Sequence, residues 1–164
     1  MKPILTLVFT CLFTAPLMAQ EAAGSLTDTA APSIFVDGSD VDLKQFLWKN
    51  RPLVVFADSP NDPRFVQQME LLTARSDELA ARDVVVLTDT DPSARGPLRT
   101  QLRPRGFMLV LIVKDGTVYL RKPLPWDVRE ISRTIDKLPM RQQEIQERRA
   151  APGADKTTGT GGAS

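Results

Sequence analysis

Apolar residues in this chain fall into short continuous runs, separated by polar stretches rich in Asp, Pro and Gly. "LVVF" (Leu53 to Phe56), "VVVL" (Val84 to Leu87) and "FMLVLIV" (Phe107 to Val113) contain no polar residue, as expected of strands covered on both faces. After the first run, Asp62-Pro63 supplies an N-cap followed by proline at the first helical position. Phe65, Met69, Leu72 and Leu79 then recur at helical spacing, which predicts one helix from Pro63 to about Arg82. After the third run, a "KDG" turn leads into "TVYLRKP", where Val118 and Leu120 alternate with polar neighbours; this predicts an antiparallel hairpin. "PWDVREISRTIDKL" carries an apolar stripe of Trp126, Val128, Ile131 and Ile135, predicting a helix that Pro139 interrupts, with a further turn or two in "MRQQEIQERR". Upstream, "SDVDLKQFLWKN" offers Ser39 and Asp40 as caps and Val41, Phe46, Leu47 and Trp48 as an apolar face, predicting a short helix with Trp48 packed inward. "DTDPSARGPLRTQLRPRG" holds at most a short helix, interrupted by Pro97 and ended near Pro104.

The order is β-α-β-α-β-β-α with an extra N-terminal helix. Two parallel strands joined by a right-handed crossover, then a hairpin and a closing helix, predict a four-stranded mixed sheet flanked by helices. That α/β order resembles the thioredoxin-like core, although the pattern of short runs alone also fits another small α/β sandwich.

The two ends of the chain read differently. Residues 1–19, "MKPILTLVFTCLFTAPLMA", place one lysine before an apolar run and then small residues, the pattern of a signal peptide cleaved after Ala19. A transmembrane anchor is the weaker reading, because the apolar stretch falls short of the ~20 residues a bilayer requires. Cys11 as a lipid attachment site is weaker still, since Val8, Phe9 and Thr10 before it are not the small residues such sites prefer. Residues 20–33 are small and polar, a flexible linker, and residues 150–164 form a Gly-, Thr- and Ala-rich tail expected to be disordered. One domain, residues 34–149, lies between them. The expected location is periplasmic or secreted, with no membrane span after cleavage.

Charge and composition narrow the chemistry. A net charge of +1 gives no reason to expect nucleic acid or an anionic membrane surface as a partner. Cys11 is the chain's one cysteine, and there is no histidine. After cleavage the protein would have no thiol for redox chemistry or disulfides. It would also have no imidazole for a Ser-His-Asp triad, a His-containing zinc site or a general base near neutral pH.

Two motifs strengthen the fold reading. "PLVVFADSP" resembles the strand and loop of peroxiredoxins that end in a peroxidatic cysteine followed by proline; Ser59 stands at the cysteine position and Pro60 keeps the proline. "RGFMLVLIVKDG" resembles the thioredoxin segment from its Arg-Gly pair to its hairpin turn, and Met108 stands where that segment has its cis-proline. A broader resemblance runs from about Phe35 to Ile145. "FLWKNRPLVVFADSPNDPR", "ARDVVVL", "KDGTVYLRKP" and "IDKLPMRQQEI" resemble the bacterial branch of the domain of unknown function 4174, most specifically in Trp48 to Pro52 and Ile135 to Glu144. That resemblance implies a peroxiredoxin-like, thioredoxin-like fold and an exported location, shared with extracellular sushi-repeat proteins. It implies no established activity.

Individual residues support modest expectations. A serine hydroxyl is a poor nucleophile without a base, so "DSPNDP" reads first as a turn in which Ser59, Asn61 and Asp62 satisfy backbone N–H groups. Asp58 and Asp62 follow the first strand, and Asp89 and Asp91 the second. Carboxylates at neighbouring strand ends can gather Ca²⁺ or Mg²⁺, although aspartates beside prolines are also ordinary cap and turn residues. Arg95, Arg99, Arg103 and Arg105 form a cluster able to receive an anion or an acidic partner; a solvated basic face is the plainer account. Arg141 has no evident packing role, and an ion pair with Glu144 or with a carboxylate across the domain, or a docking edge, would give it one.

The sequence thus predicts an exported thioredoxin-like domain without thiol-redox activity, a binding or structural module with an unknown protein or small-anion partner in the cell envelope. No catalytic residue, cofactor or metal is assigned. Its candidate degenerate site is Asp58, Ser59, Pro60, Asp62, Asp89 and Met108, and its candidate partner or anion surface is Arg99, Arg103, Arg105 and Arg141. The alternative is a metal- or anion-dependent enzyme using Asp58, Asp62 and Asp89 at the sheet's carboxyl edge. A weaker third reading, implied only by the family resemblance, is an envelope stress protein that binds peroxide-damaged partners.

Overall fold

A computed structural model describes residues 33–151. The proposed signal peptide, all but the last residue of the linker, and the tail beyond Ala151 lie outside the described residues.

Three apolar runs do form the central strands. β2 (Arg51–Phe56) is buried at every position, and it pairs with β3 (Val84–Asp89) in parallel and β4 (Met108–Ile112) in antiparallel. β5 (Val118–Lys122) pairs antiparallel with β4, completing the predicted hairpin. A strand between two neighbours satisfies its backbone on both edges, so its side chains decide its burial, and here both faces are covered. Alternate residues serve opposite cores. Leu53, Val55, Val86, Leu109 and Leu111 pack with Leu72, Leu79, Ile131 and Ile135. Val54, Phe56, Leu87, Val110 and Ile112 pack with Leu43, Leu98 and Leu102.

The sheet has five strands where four were expected. The additional strand, β1 (Phe35–Asp37), lies parallel to β3 at the edge, giving the order β1-β3-β2-β4-β5. It is three residues long, with Val36 and Asp37 exposed, so its only apolar mark is the short Ile34-Phe35-Val36 stretch. Its evidence is its pairing: Gly38 N donates to Thr88 O at 2.8 Å and Val86 N to Ile34 O at 2.7 Å. Three parallel strands followed by an antiparallel pair, with helices on both faces, make this a thioredoxin-like α/β fold.

The helices differ from expectation in their boundaries. The upstream helix is a 3-10 turn, Leu43–Phe46, capped by Asp42 and not by Ser39 or Asp40. So short a turn cannot carry the stripe as far as Trp48, which is 68 % exposed in a left-handed conformation (φ 63°) and not packed in the core. The helix after β2 splits into α1 (Pro63–Thr73) and α2 (Ser76–Ala80) at Arg75, which leaves helical geometry with no proline or glycine to signal it. Pro97 and Pro139 were expected to interrupt helices. Each instead begins one, α3 (Pro97–Leu102) and α5 (Pro139–Ala150), because proline's missing N–H and fixed φ suit a helix's first turn. α5 is 12 residues long, three turns where one or two were expected. α4 (Val128–Asp136) buries Val128, Ile131 and Ile135 as predicted. Half-buried Trp126 precedes it, its backbone held by the buried Gln68 amide: Trp126 N donates to Gln68 Oε1 at 2.7 Å, and Gln68 Nε2 to Trp126 O at 3.1 Å.

Candidate functional site

The ends of β2 and β3 are joined by Ala57 N donating to Asp89 O, 3.1 Å, so the loops after both strands leave the sheet side by side. The β2 loop is a tight turn. Ser59 Oγ accepts from Asn61 N at 3.2 Å, Asp62 N donates to Ser59 O at 3.1 Å, and Asp62 caps α1 by accepting from Arg64 N at 2.9 Å. Ser59 and Asp62 thus do satisfy backbone N–H groups. Asp62 also receives the Arg64 guanidinium, Nη2 at 2.8 Å, and the side-chain and then the backbone hydrogen bond from Arg64 hold its carboxyl below the usual range. Arg64 in turn lies over the Phe107 ring, 5.6 Å from its centroid.

Met108 opposes Phe56 in the β2–β4 ladder. Asp58 Oδ2 lies 3.8 Å from where a Cβ on Gly106 would sit. The two segments that resemble redox proteins are therefore neighbours. A cavity of about 410 Å³ opens over the loop, lined by Asp58, Ser59, Asn61, Asp62, Pro63 and Arg64. Among the described residues, no carboxylate or other base hydrogen-bonds to Ser59 Oγ, so nothing draws off the hydroxyl proton.

The aspartates do not share a ligand space. Asp89, with its side chain 4 % exposed, is bound by Arg99, whose Nε donates to Asp89 Oδ1 at 2.8 Å. Arg99 Nη2 also donates to Ala57 O at 2.6 Å and Asp89 O at 3.2 Å. Its guanidinium stands 5.6 Å from the Phe56 ring centroid and 3.9 Å from Asp58 Oδ1. Arg99 is thus an internal clamp on two strand ends and not part of a solvated face. Asp91 accepts from Ser93 Oγ and Ser93 N, which hold its carboxyl below the usual range. Among the described residues no three Asp, Glu, His or Cys side chains are grouped to hold a metal. Arg95, Arg103 and Arg105 remain exposed, with no carboxylate pairing among the described residues. Arg103 closes α3 in a left-handed conformation, φ 47°.

A second constellation, at the opposite end of β2, was missed in the sequence except for its Arg141–Glu144 pair. Arg51, 1 % exposed, donates to Glu144 Oε1 at 2.7 Å and to Arg82 O at 2.8 Å. Glu144 also meets Lys114 Nζ at 2.9 Å and Arg141 Nη1 at 3.2 Å, and Arg141 Nη2 donates to Ala81 O at 3.1 Å. Burial pushes the Glu144 carboxyl up, and hydrogen bonds from Arg51, Lys114 and Arg141 more than reverse this, lowering it to about 2. Arg141 therefore pairs with Glu144 within α5 and ties that helix to the end of α2 through the Ala81 carbonyl. The available signal was an arginine opening a wholly buried strand in "NRPLVVF", within one of the two most specific segments of the resemblance. Glu144 lies in the other, and the two segments meet here.

The strand order and the paired loops define a thioredoxin-like domain, with Ser59 in the loop after β2 and Met108 at the start of the neighbouring β4. The chain belongs to the family described as domain of unknown function (DUF4174), whose model matches residues 42–144. Among solved structures it is similar to a reduced 2-Cys peroxiredoxin from Plasmodium vivax, with 19% identity, a TM-score of 0.48, and coverage of 67% of this chain and 85% of that one. It is also similar to a thioredoxin peroxidase I from Plasmodium yoelii (18% identity, TM-score 0.43, 74% of this chain and 87% of that one). A chloroplastic thioredoxin z is similar at 18% identity and TM-score 0.46, over 62% of this chain and 94% of that one. No curated protein matches the chain. Among the described residues no helix is long and apolar enough to cross a membrane.

Proposed function

We propose that this protein is an exported, thioredoxin-like binding module of the bacterial periplasm that performs no thiol-redox chemistry. The observation that carries the reading is the β2 loop: Ser59 replaces the thiol, and its hydroxyl is spent on a turn, accepting from Asn61 N. The domain's sequence supplies neither cysteine nor histidine to take over the role. The cavity above the loop is lined by Asp58 and by Asp62, which Arg64 neutralises, while Arg103 and Arg105, without a carboxylate pair among the described residues, stand exposed just before β4 in sequence. An acidic protein segment or small anion from the cell envelope fits that charge.

Two measurements test the reading. The purified protein is expected to consume hydrogen peroxide and reduce insulin disulfides no faster than buffer; turnover with a thiol reductant would overturn the non-redox assignment. Crosslinking and affinity capture from periplasmic extract should recover a partner with the wild type and lose it when Arg103 and Arg105 are reversed to glutamate. Equal recovery by both would remove that surface from the assignment. Protein found only in the cytoplasmic fraction, with its first residues intact, would refute export.

A further inference from the structure

The end of the molecule away from the β2 loop holds a second cavity, of about 390 Å³, between the β4–β5 turn and the α4–α5 corner. Its walls are apolar for the most part: Val113, Tyr119, Leu138, Pro139 and Met140, with Arg51 and Asp115 as the charged members. Asp115 and Thr117 complete it from the exposed turn, tied to each other by Thr117 N donating to Asp115 Oδ1 at 2.8 Å. Space of that size, apolar walls and very few polar groups are what small-molecule sites present.

Arg51 gives the cavity its chemistry. It is 1 % exposed, and although its two terminal nitrogens are engaged, its Nε–H has no partner. A buried guanidinium N–H without an acceptor is costly and uncommon. The surrounding charge is also unbalanced. Arg51, Arg82, Lys114, Arg141 and Arg148 share the carboxylates of Asp83, Asp136 and Glu144, and with Asp115 at the cavity wall cations outnumber anions five to four. The site is short of one acceptor at Arg51.

We propose that this cavity binds a small organic carboxylate, its apolar body against Tyr119, Leu138 and Met140 and its carboxylate at the Arg51 end. This deepens the binding-module reading with a ligand class, on residues remote from the β2 loop, so the two stand or fall separately. Peroxide or insulin turnover would overturn the non-redox reading and leave this site untouched.

The test uses phenylpropionate as probe and the neutral phenylpropanol as its match, titrated into the purified protein with methyl NMR of Leu138 and Met140 as readout. Saturable shifts are expected for the acid, with the alcohol binding about tenfold more weakly, the difference one charged hydrogen bond makes. Removing Arg51 would break its bonds to Glu144 and to the Arg82 carbonyl and endanger the fold. Met140→Trp instead fills the cavity from its half-buried rim, and should abolish the shifts at Leu138 while leaving those of Leu53 and Val55 in place. Unmoved methyls at millimolar acid, equal binding of acid and alcohol, or undiminished binding to Met140→Trp would each overturn the proposal.

Discussion

Arg99 lies within the protein although its sequence surroundings, "ARGPLRTQLRPRG", suggest a run of solvated cations. It contacts Asp89, the Ala57 carbonyl and the Phe56 ring at once. Replacing it with methionine would leave the Asp89 carboxylate buried and unpaired, which typically costs about 3–5 kcal/mol. Urea unfolding of Arg99→Met should show a loss of that order, and adding Asp89→Leu should recover most of it, since the stranded charge is then gone. A loss under about 1 kcal/mol, within the range of exposed ion pairs, would mean that Arg99 is not a clamp. Ser59 was legible beforehand because its role is local: a hydroxyl two residues before an N–H in a proline-flanked turn needs no tertiary partner. Arg99 and Arg51 were not, because what distinguishes either from an exposed arginine is a carboxylate or carbonyl far away in sequence.

At the scale of elements, the buried strands and the hairpin edge β5 were read correctly and the edge strand β1 was not. β2, β3 and β4 are apolar because both their faces are covered, whereas β1 is three residues long and, besides the half-buried Ile34 and Phe35, is held by backbone pairing to β3, which leaves only a brief side-chain signature. Helix starts showed a similar asymmetry: Asp62-Pro63 was recognised as a cap and first turn, while Pro97 and Pro139, without a cap side chain before them, read as breaks. Gly96, just before α3, reveals how closely the segment after β1 approaches. A Cβ there would lie 2.3 Å from the Ser39 carbonyl oxygen, and backbone cannot yield as a flexible side chain does. Gly96→Ala should therefore lower stability by about 1–3 kcal/mol, as overpacking commonly does. Hydrogen exchange should show the loss concentrated at the β1–β3 pairing, at Gly38 and Val86. A neutral substitution would indicate that this segment is free to move away.

Across the whole molecule, charge is concentrated at two poles with different duties. At the carboxyl ends of β2 and β3 it faces a cavity; at the opposite pole it ties α5, the last element, to the first residue of β2. The second pole makes stability depend on acid. Glu144 titrates at about 2 in the folded protein against an ordinary value of 4.5, so between those values the unfolded chain binds the extra proton. Its contribution is therefore complete above about pH 4.5 and drains away as pH falls toward 2, the half-buried Asp62 and exposed Asp91 carboxyls being lowered in the same direction. Glu144→Gln should be less stable than wild type by on the order of 2–3 kcal/mol at pH 7. That gap should narrow through the acid window and nearly close at its lower end. Urea titrations of both proteins at steps from pH 7 to pH 2.5 measure this directly. A gap that stays constant over that range would show that the Glu144 charge does not hold α5 in place, and that its hydrogen bonds survive equally well with a neutral amide.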